Sequence, residues 1–346
     1  MSTTASSAKP VAATAPSIRP RRNLFIRKTQ PLASRFATSV LRTAPRIFPI
    51  PGWFPVVVER LHPAVAGNLT DAEVVTHGVK MRLDLRDYIQ RRIFYESHEP
   101  HQLAFCERFV RPGDVVLDVG AHVGVVTLIA ASATGPSGEV HAFEPVPGNF
   151  RSLEANVRLN GFENVVLNRA AVGAEEGEIS LGLPDVVPDS GSGSTSAMYT
   201  AGGEVRTVTA PVVSLDLYVE EHTGDRPIRL LKIDVEGLEQ AVLEGFARRL
   251  ASAPPSAILL EVNLDLLHRH GFRAEDLFSL LRDAGYRLLQ PTAMGKLRES
   301  EPDFPPGFDP ERDLPEHSPG PRGWLRRYRE ESRIFFNVFA LHGAAR

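Results

Sequence analysis

The sequence predicts an α/β domain built on a mostly parallel sheet, with a ligand crevice at the carboxyl edge of that sheet. Three stretches predict it. Val115 to Thr127 reads as strand, glycine turn and helix: Val115 to Leu117 shows no polar alternation, Gly120 and Gly124 flank a tight turn, and Val125 to Ala131 is an apolar helical run. A strand covered on both faces needs no alternation, and glycine lets a ligand approach bare backbone. Val140 to Phe143 is a second apolar strand, and it ends in Glu144, twenty residues past Gly124. Ile228 to Asp234 and Ala257 to Val262 repeat the pattern, each with a carboxylate at or near its end and a helical stretch after it.

The charges at this edge bear on the ligand. An acidic residue at the end of the second strand commonly holds a ribose hydroxyl pair, which gives Glu144 its expected role. A dinucleotide loop would carry three glycines, Gly-x-Gly-x-x-Gly, around a pyrophosphate. Here two glycines stand four apart and Asp118 precedes the first by two. A carboxylate there repels a pyrophosphate and suits a cationic ligand end, such as the amino group of S-adenosylmethionine. Methyl-donor binding is therefore favoured over dinucleotide binding.

Bulk properties narrow the class. The chain has 346 residues, enough for one elaborated domain or two ordinary ones. A hydrophobic content of 42% with 23% charged residues describes a soluble globular protein, and a cytoplasmic location is expected. The single cysteine, Cys106, excludes an internal disulfide framework and a cysteine-based zinc cluster. No apolar run approaches the roughly 18–20 residues of a membrane span. The net charge of −3 gives no reason to expect a nucleic-acid partner. That charge is uneven. Residues 1–50 hold Lys9, Arg19, Arg21, Arg22, Arg27, Lys28, Arg35, Arg42 and Arg46 and no acidic side chain, which leaves the remainder with 30 basic against 42 acidic residues.

In chain order, residues 1–22, rich in Ala, Ser, Thr and Pro, are expected to be disordered. Residues 31–48 have the pattern of a short basic amphipathic helix suited to weak contact with an anionic membrane or a partner. Residues 1–50 thus form a basic N-terminal extension, 51–110 a lead-in and pocket lid, and 111–346 the sheet domain. Val79 to Leu85 alternates at period two, as a half-buried strand does. His98 and His101 have a metal-ligand spacing, but Pro100 stands between them and no third ligand follows, which favours a helix entry. Pro147 to Asn160 reads as a helix ended by Gly161, and Asn164 to Asn168 as a third parallel strand. Glu178 to Leu183 and Val205 to Val213 read as a hairpin. The Ser/Gly/Pro-rich segment 185–203 between them has the length of a flap over a site. Helices are expected over Leu238 to Leu250 and over Leu264 to Ala284 with a break at Gly271. Tyr286 to Leu289 and Ile334 to Leu341 are the last strands. The segment 291–333 between them is a proline-rich insertion with Arg322, Arg326, Arg327 and Arg329 near its end.

Taken together, Asp118-Val119-Gly120-Ala121-His122-Val123-Gly124, Ala142-Phe143-Glu144-Pro145, Ser214-Leu215-Asp216 and Leu231-Lys232-Ile233-Asp234-Val235-Glu236-Gly237-Leu238-Glu239 resemble the FkbM-type S-adenosylmethionine-dependent methyltransferases. The resemblance covers about residues 99–342, and the Lys-Ile-Asp-x-Glu-Gly-x-Glu run is its specific part. His122 departs from it, since the family usually has Asn there. The resemblance implies a Rossmann-like seven-stranded methyltransferase sheet with its last strand antiparallel and helices on both faces. It also implies O-methylation of a hydroxyl on a small molecule, secondary metabolite or glycan.

The candidate cofactor-binding residues are Glu99, Asp118, Gly120, Ala121, His122, Gly124, Glu144, Pro145 and Asp234. Asp234, Glu236 and Lys232 are the catalytic candidates. Asp234 stands at a strand end beside the crevice, where it can take the hydroxyl proton or, with Glu236 or Glu261, hold Mg²⁺ through oxygen. Lys232 is expected to pair with one of these acids, and Glu239 to cap the following helix. Two alternatives stand beside this reading: a nucleotide-dependent oxidoreductase, and a non-catalytic cofactor-binding protein of the same fold.

Overall fold

The computed structural model describes residues 61–62, 70–183, 206–291, 297–299 and 335–343. The expectations for residues 1–50, for the segment 185–203 and for most of the insertion 291–333, including its arginines, lie outside the described residues.

The lead-in begins with an antiparallel hairpin, β1 (Asp71–Thr76) and β2 (Val79–Asp84). The period-two pattern works as expected, with Val79, Met81 and Leu83 buried and Lys80 and Arg82 exposed. Helix α1 (Tyr88–Phe94) follows, capped by the Asp87 carboxylate, which accepts the Gln90 N–H at 2.8 Å. Helix α2 (Pro100–Phe109) starts on a proline, whose missing N–H would have had no helical partner.

The main sheet begins with β3 (Val115–Val119), α3 (Val125–Thr134), β4 (Glu139–Phe143), α4 (Pro147–Asn160) and β5 (Val165–Asn168). A small three-stranded sheet comes next, from β6 (Ala171–Val172), β7 (Gly177–Leu183) and β8 (Arg206–Val213), with the β7–β8 pair antiparallel. The chain continues through α5 (Leu215–His222), β9 (Ile228–Ile233), α6 (Glu239–Glu244), α7 (Ala247–Ser252), β10 (Ala257–Asn263), α8 (Leu264–Arg269) and α9 (Ala274–Asp283). It ends in β11 (Tyr286–Pro291), β12 (Leu297–Glu299) and β13 (Phe335–His342).

The large sheet has the order β12-β11-β13-β10-β9-β3-β4-β5. From β5 through β4, β3 and β9 to β10 the pairing is parallel, and β13 runs antiparallel to both β10 and β11. This is the expected seven-stranded sheet with its last strand reversed. The short edge strand β12 inside the insertion is an addition that its proline-rich surroundings hid. The strand order turns between β3 and β9, because β3 leads outward to β4 and the chain later returns to β3's other side. Such a switch point opens a crevice at the strands' carboxyl ends.

Apolar layers cover both faces. On one, Met81, Leu83 and Phe94 of the lead-in join Val123, Leu128 and Leu153 in a single core; on the other, Leu215, Val242, Phe246 and Leu277 pack against Leu117 and Leu231. Asn156 of α4, fully buried, ties lead-in to loop: its Oδ1 accepts the Arg82 N–H at 2.8 Å and its Nδ2 donates to the Val123 carbonyl at 3.0 Å. One expected element changes. The helix read over Leu238 to Leu250 is two, α6 and α7. They part where Gly245 packs so tightly that a Cβ there would lie 2.0 Å from the Gly173 carbonyl oxygen.

Candidate active site

The sequence places a glycine turn after β3, and the turn's shape follows from its neighbours. Gly120 and Ala121 both donate backbone N–H bonds to the Phe143 carbonyl of β4, at 3.0 and 2.9 Å. Gly120 has φ +77°, and a Cβ on it would fall 1.8 Å from the Asp234 carbonyl oxygen; Gly124 has φ +95°, and its Cβ would fall 2.5 Å from Leu153 Cδ1. Both glycines are thus demanded by packing within the protein. His122 takes φ +53°. Asn and His are among the non-glycine residues that enter this region most readily, so the departure from Asn keeps the turn. Its backbone N–H reaches the Glu144 carboxylate at 2.8 Å, a bond that any residue at this position would make.

Glu144 ends β4 as expected. Its other oxygen accepts the Val146 N–H at 2.9 Å and Asn149 Nδ2 at 3.4 Å. Burial pushes its carboxyl up to about 7, against the pull of these hydrogen bonds. Beside it lie Val119, Phe143, Val146, Ala170 and Val172, an apolar strip.

Beneath the loop sits a charge network set by strand register. Asp118 of β3 and Lys232 of β9 are directly paired across parallel strands. Lys232 Nζ donates to the Gly120 carbonyl at 2.6 Å and lies 3.4 Å from Asp118 and 3.2 Å from Asp234. Asp118, fully buried, also accepts Thr127 Oγ1 at 2.6 Å. Burial opposes the ammonium charge, but Asp234, Asp118 and Glu261 outweigh it and hold Lys232 above the ordinary lysine range. A lysine so held is a poor proton acceptor.

The rest of the run after β9 is architectural or faces the cavity. Glu236 takes φ +54° and Gly237 φ +95°. A Cβ on Gly237 would lie 2.6 Å from the Leu266 backbone. Glu239 is buried and accepts the Gly237 N–H at 2.9 Å, which fixes the turn ahead of α6. In the Ser214-Leu215-Asp216 stretch, the Asp216 carboxylate accepts the Arg248 and Arg249 N–H groups, each at 2.8 Å, and so caps α7.

These elements enclose a cavity of about 390 Å³ at the carboxyl edge. Of the candidate residues, Glu99, Gly120, Ala121, His122, Glu144, Pro145, Lys232, Asp234, Glu236 and Glu261 line it. Asp118 and Gly124 do not: Asp118 faces Lys232 and Thr127 rather than the cavity, and Gly124 packs on Leu153. Burial pushes Glu236 up to about 8, with Asp234 and Glu239 adding to it, and raises Glu99 and Glu261 as well. Glu99 takes φ +35° ahead of α2, where it accepts Asn337 Nδ2, and Asn337 in turn accepts Gln102 Nε2.

The lead-in contributes to the cavity wall through residues not singled out in advance: Tyr88, Ile89, Arg92 and Gln102. His98, read above only as a possible metal ligand, also lines it. Its Nδ1 has no partner among the described residues, and burial holds the ring well below the usual histidine range. The wall further includes Ile179 to Gly182 of β7, the strand that leads into the segment 185–203.

The donor set fits a nucleoside with a cationic tail: an apolar strip beside Glu144 for the nucleoside, and carboxylates further along for the charge. It gives no support to the possible Mg²⁺. Among the described residues no three His, Cys, Asp or Glu side chains are grouped to hold an ion, and Asp234 Oδ2 lies 3.2 Å from Lys232 Nζ.

Comparison with known proteins agrees with this architecture. Residues 118–288 match the model of the methyltransferase FkbM domain. The chain carries an FkbM methyltransferase domain. Over 163 residues it is 36% identical to the 31-O-demethyl-FK506 methyltransferase FkbM of Streptomyces tacrolimicus, covering 39% of this chain and 60% of that one. Over 143 residues it is 26% identical to Methyltransferase 1 of Beauveria bassiana, covering 38% of this chain and 57% of that one. The chain therefore spans somewhat over half the length of these relatives. A crystal structure of methyltransferase FkbM from Methylobacillus flagellatus overlays with a TM-score of 0.34 at 16% identity, covering 59% of this chain and 51% of that one. Several parts of the cavity wall, Glu99, His98 and Arg92 among them, come from outside the FkbM domain's matched range.

Proposed function

We propose that this protein transfers the methyl group of S-adenosylmethionine to a hydroxyl oxygen of a small molecule, a secondary metabolite or a glycan. The observation that carries the reading is one cavity with Glu144 and an apolar strip at one end and the carboxylates of Asp234, Glu236, Glu261 and Glu99 elsewhere on its wall. Glu144 receives the ribose hydroxyls, and Asp234 and Glu99 balance the sulfonium and the ammonium group. The name of the Streptomyces tacrolimicus relative, which specifies a 31-O-demethyl compound, supports oxygen as the acceptor atom.

In the transfer the hydroxyl oxygen forms the bond to the methyl carbon, the sulfur–methyl bond breaks, and sulfur keeps the electron pair as a neutral thioether. The hydroxyl proton leaves. Alignment of oxygen, carbon and sulfur supplies much of the rate. Asp234 takes the proton. Its Oδ2 faces Lys232, so Oδ1 is the atom left for the acceptor. Glu236, pushed up to about 8 by burial, holds a proton while no cation faces it and gives that proton up to a cationic partner. Lys232 positions Asp234 and the Gly120 carbonyl rather than taking protons.

The test combines calorimetry with transfer from methyl-labelled donor to a panel of hydroxylated compounds. Donor binding that weakens in Glu144→Ala, together with label on oxygen, supports the reading. A base contributes typically 10²–10⁴-fold, so Asp234→Asn should lower turnover by about that factor and leave donor affinity nearly unchanged. Failure of the folded protein to bind the donor, or label on nitrogen or carbon, overturns it.

A further inference from the structure

The cavity wall carries more carboxyl groups than the methyl donor can answer. Among the described residues its wall carries Glu99, Glu144, Asp234, Glu236 and Glu261 against Arg92 and Lys232. Lys232 already faces Asp118, Asp234 and the Gly120 carbonyl. Arg92 belongs to the lead-in wall, where it donates to the Ser97 carbonyl at 3.1 Å and lies 5.7 Å from the Tyr88 ring centre. Neither Glu236 nor Glu261 makes a hydrogen bond or ion pair to any described residue, although both are partly buried and face the cavity.

Strand order sets Glu261 apart from Glu144. Glu144 follows β4 and Glu261 lies in β10, three strands away through β3 and β9. At about 4.8 Å per strand the two are about 14 Å apart. In S-adenosylmethionine four single bonds join a ribose hydroxyl oxygen to sulfur, and four more join sulfur to the ammonium nitrogen. At ~1.5 Å per bond with bent angles each span is about 5 Å. With its ribose on Glu144, the donor places its sulfonium over the β3–β9 border, near Asp234. A tail fully extended along the sheet spans about 10 Å from ribose oxygen to ammonium nitrogen, against about 14 Å between the backbones of β4 and β10. The end of the cavity beyond the sulfur is walled by Glu236, Leu238, Glu261, Asn263 and His270.

We propose that this end binds an acceptor bearing a protonated amine close to the hydroxyl that is methylated, an amino sugar or aminocyclitol in chemical class, with the amine seated between Glu236 and Glu261. The proposal rests on the methyl-donor reading of the same cavity. A partly buried carboxylate without a partner is costly, and an ammonium group that hydrogen-bonds to it removes the cost on binding. An acceptor with a carboxylate or phosphate meets like charge and is rejected. A neutral polyol leaves both acids unpaired.

Glucosamine, N-acetylglucosamine and glucuronate are the probes, alike in their gluco-configured ring and its 3- and 4-hydroxyls and different in charge. Their binding to the full chain is measured by ligand-observed NMR, with and without S-adenosylhomocysteine, so the amine preference is read without turnover. Glucosamine is expected to bind at least tenfold more tightly than N-acetylglucosamine, with glucuronate weakest. Glu261→Gln and, separately, Glu236→Gln are expected to shrink the ratio toward one while S-adenosylhomocysteine affinity holds. Equal binding of the three probes, a preference for glucuronate, or an unchanged ratio in both variants overturns the proposal. Loss of donor binding with the amine preference intact would instead count against the methyltransferase reading alone.

Discussion

Lys232→Met removes the cation at the centre of the charge network and keeps most of its volume. It deletes the 2.6 Å bond to the Gly120 carbonyl and leaves Asp118, which is fully buried, with only the Thr127 hydroxyl. Removing one partner of a buried ion pair costs about 3–5 kcal/mol, because the remaining charge stays in a poor solvent. Set against a total stability of about 5–15 kcal/mol, that is a large fraction. Adding Asp118→Asn removes the orphaned charge, so the double variant should regain part of the loss, with a coupling of about 1–3 kcal/mol. Urea denaturation of the parent, both single variants and the double variant measures all four corners of the cycle. A cost below about 1 kcal/mol for Lys232→Met, or a double variant equal to the sum of the singles, would refute the reasoning. The sequence-based view of Lys232 as a catalytic group expects something different: full stability with lost turnover.

Three further outcomes follow from the same geometry. Glu144, Glu236 and Glu239 titrate at about 7, 8 and 7 in the folded chain against 4.5 ordinarily, so the unfolded chain releases these protons first; stability should fall as pH rises from about 4.5 to about 8, and Glu239→Gln should flatten part of that slope in urea midpoints. Gly120→Ala, whose Cβ would meet the Asp234 carbonyl oxygen, should lower the melting temperature clearly, whereas Gly148→Ala, with nothing within 4 Å, should not; equal melting points would show that the loop yields easily. Asp216→Ala should cost about 1–2 kcal/mol in urea denaturation through loss of the α7 cap while donor affinity is retained, and a selective loss of affinity would contradict a capping role.

The parts of the fold legible in the sequence are those in which one residue's surroundings dictate its type locally. A strand buried on both faces must be an apolar run, so β3, β4, β9 and β10 could be found one by one. The positive φ of Gly120 and Gly124 could be anticipated from the turn, but not what fills the space beside them, because the Asp234 carbonyl and Leu153 arrive from distant chain. Asp118 was misplaced for the same reason. Its carboxylate reads as a cation site at the loop, and only the register of β3 against β9 reveals that the cation is Lys232. Arg92, His98 and Asn337 reach the site from the lead-in and from β13, where no periodicity distinguishes a cavity-facing polar residue from a solvated one. The possible Mg²⁺ finds no support, since among the described residues no three such side chains are grouped to hold an ion.

The run from Lys232 to Glu239 carries the family resemblance, and most of it holds the site together rather than performing its chemistry. Lys232 pins the loop and neutralises Asp118, Ile233 is core, Gly237 fits against Leu266, and Glu239 accepts the Gly237 N–H. The Asp234 carbonyl fills the space that makes Gly120 obligatory. What remains free for a substrate is narrow: one oxygen of Asp234 and the side chain of Glu236, joined by Glu261 from the next strand. A family signature of this kind can persist while the acceptor changes, because the acceptor meets only those few atoms and walls supplied from outside the signature. Specificity is therefore expected to lie in Glu261, Asn263, His270 and the lead-in helices, and swapping those residues between relatives is the change that should alter the acceptor without altering the donor.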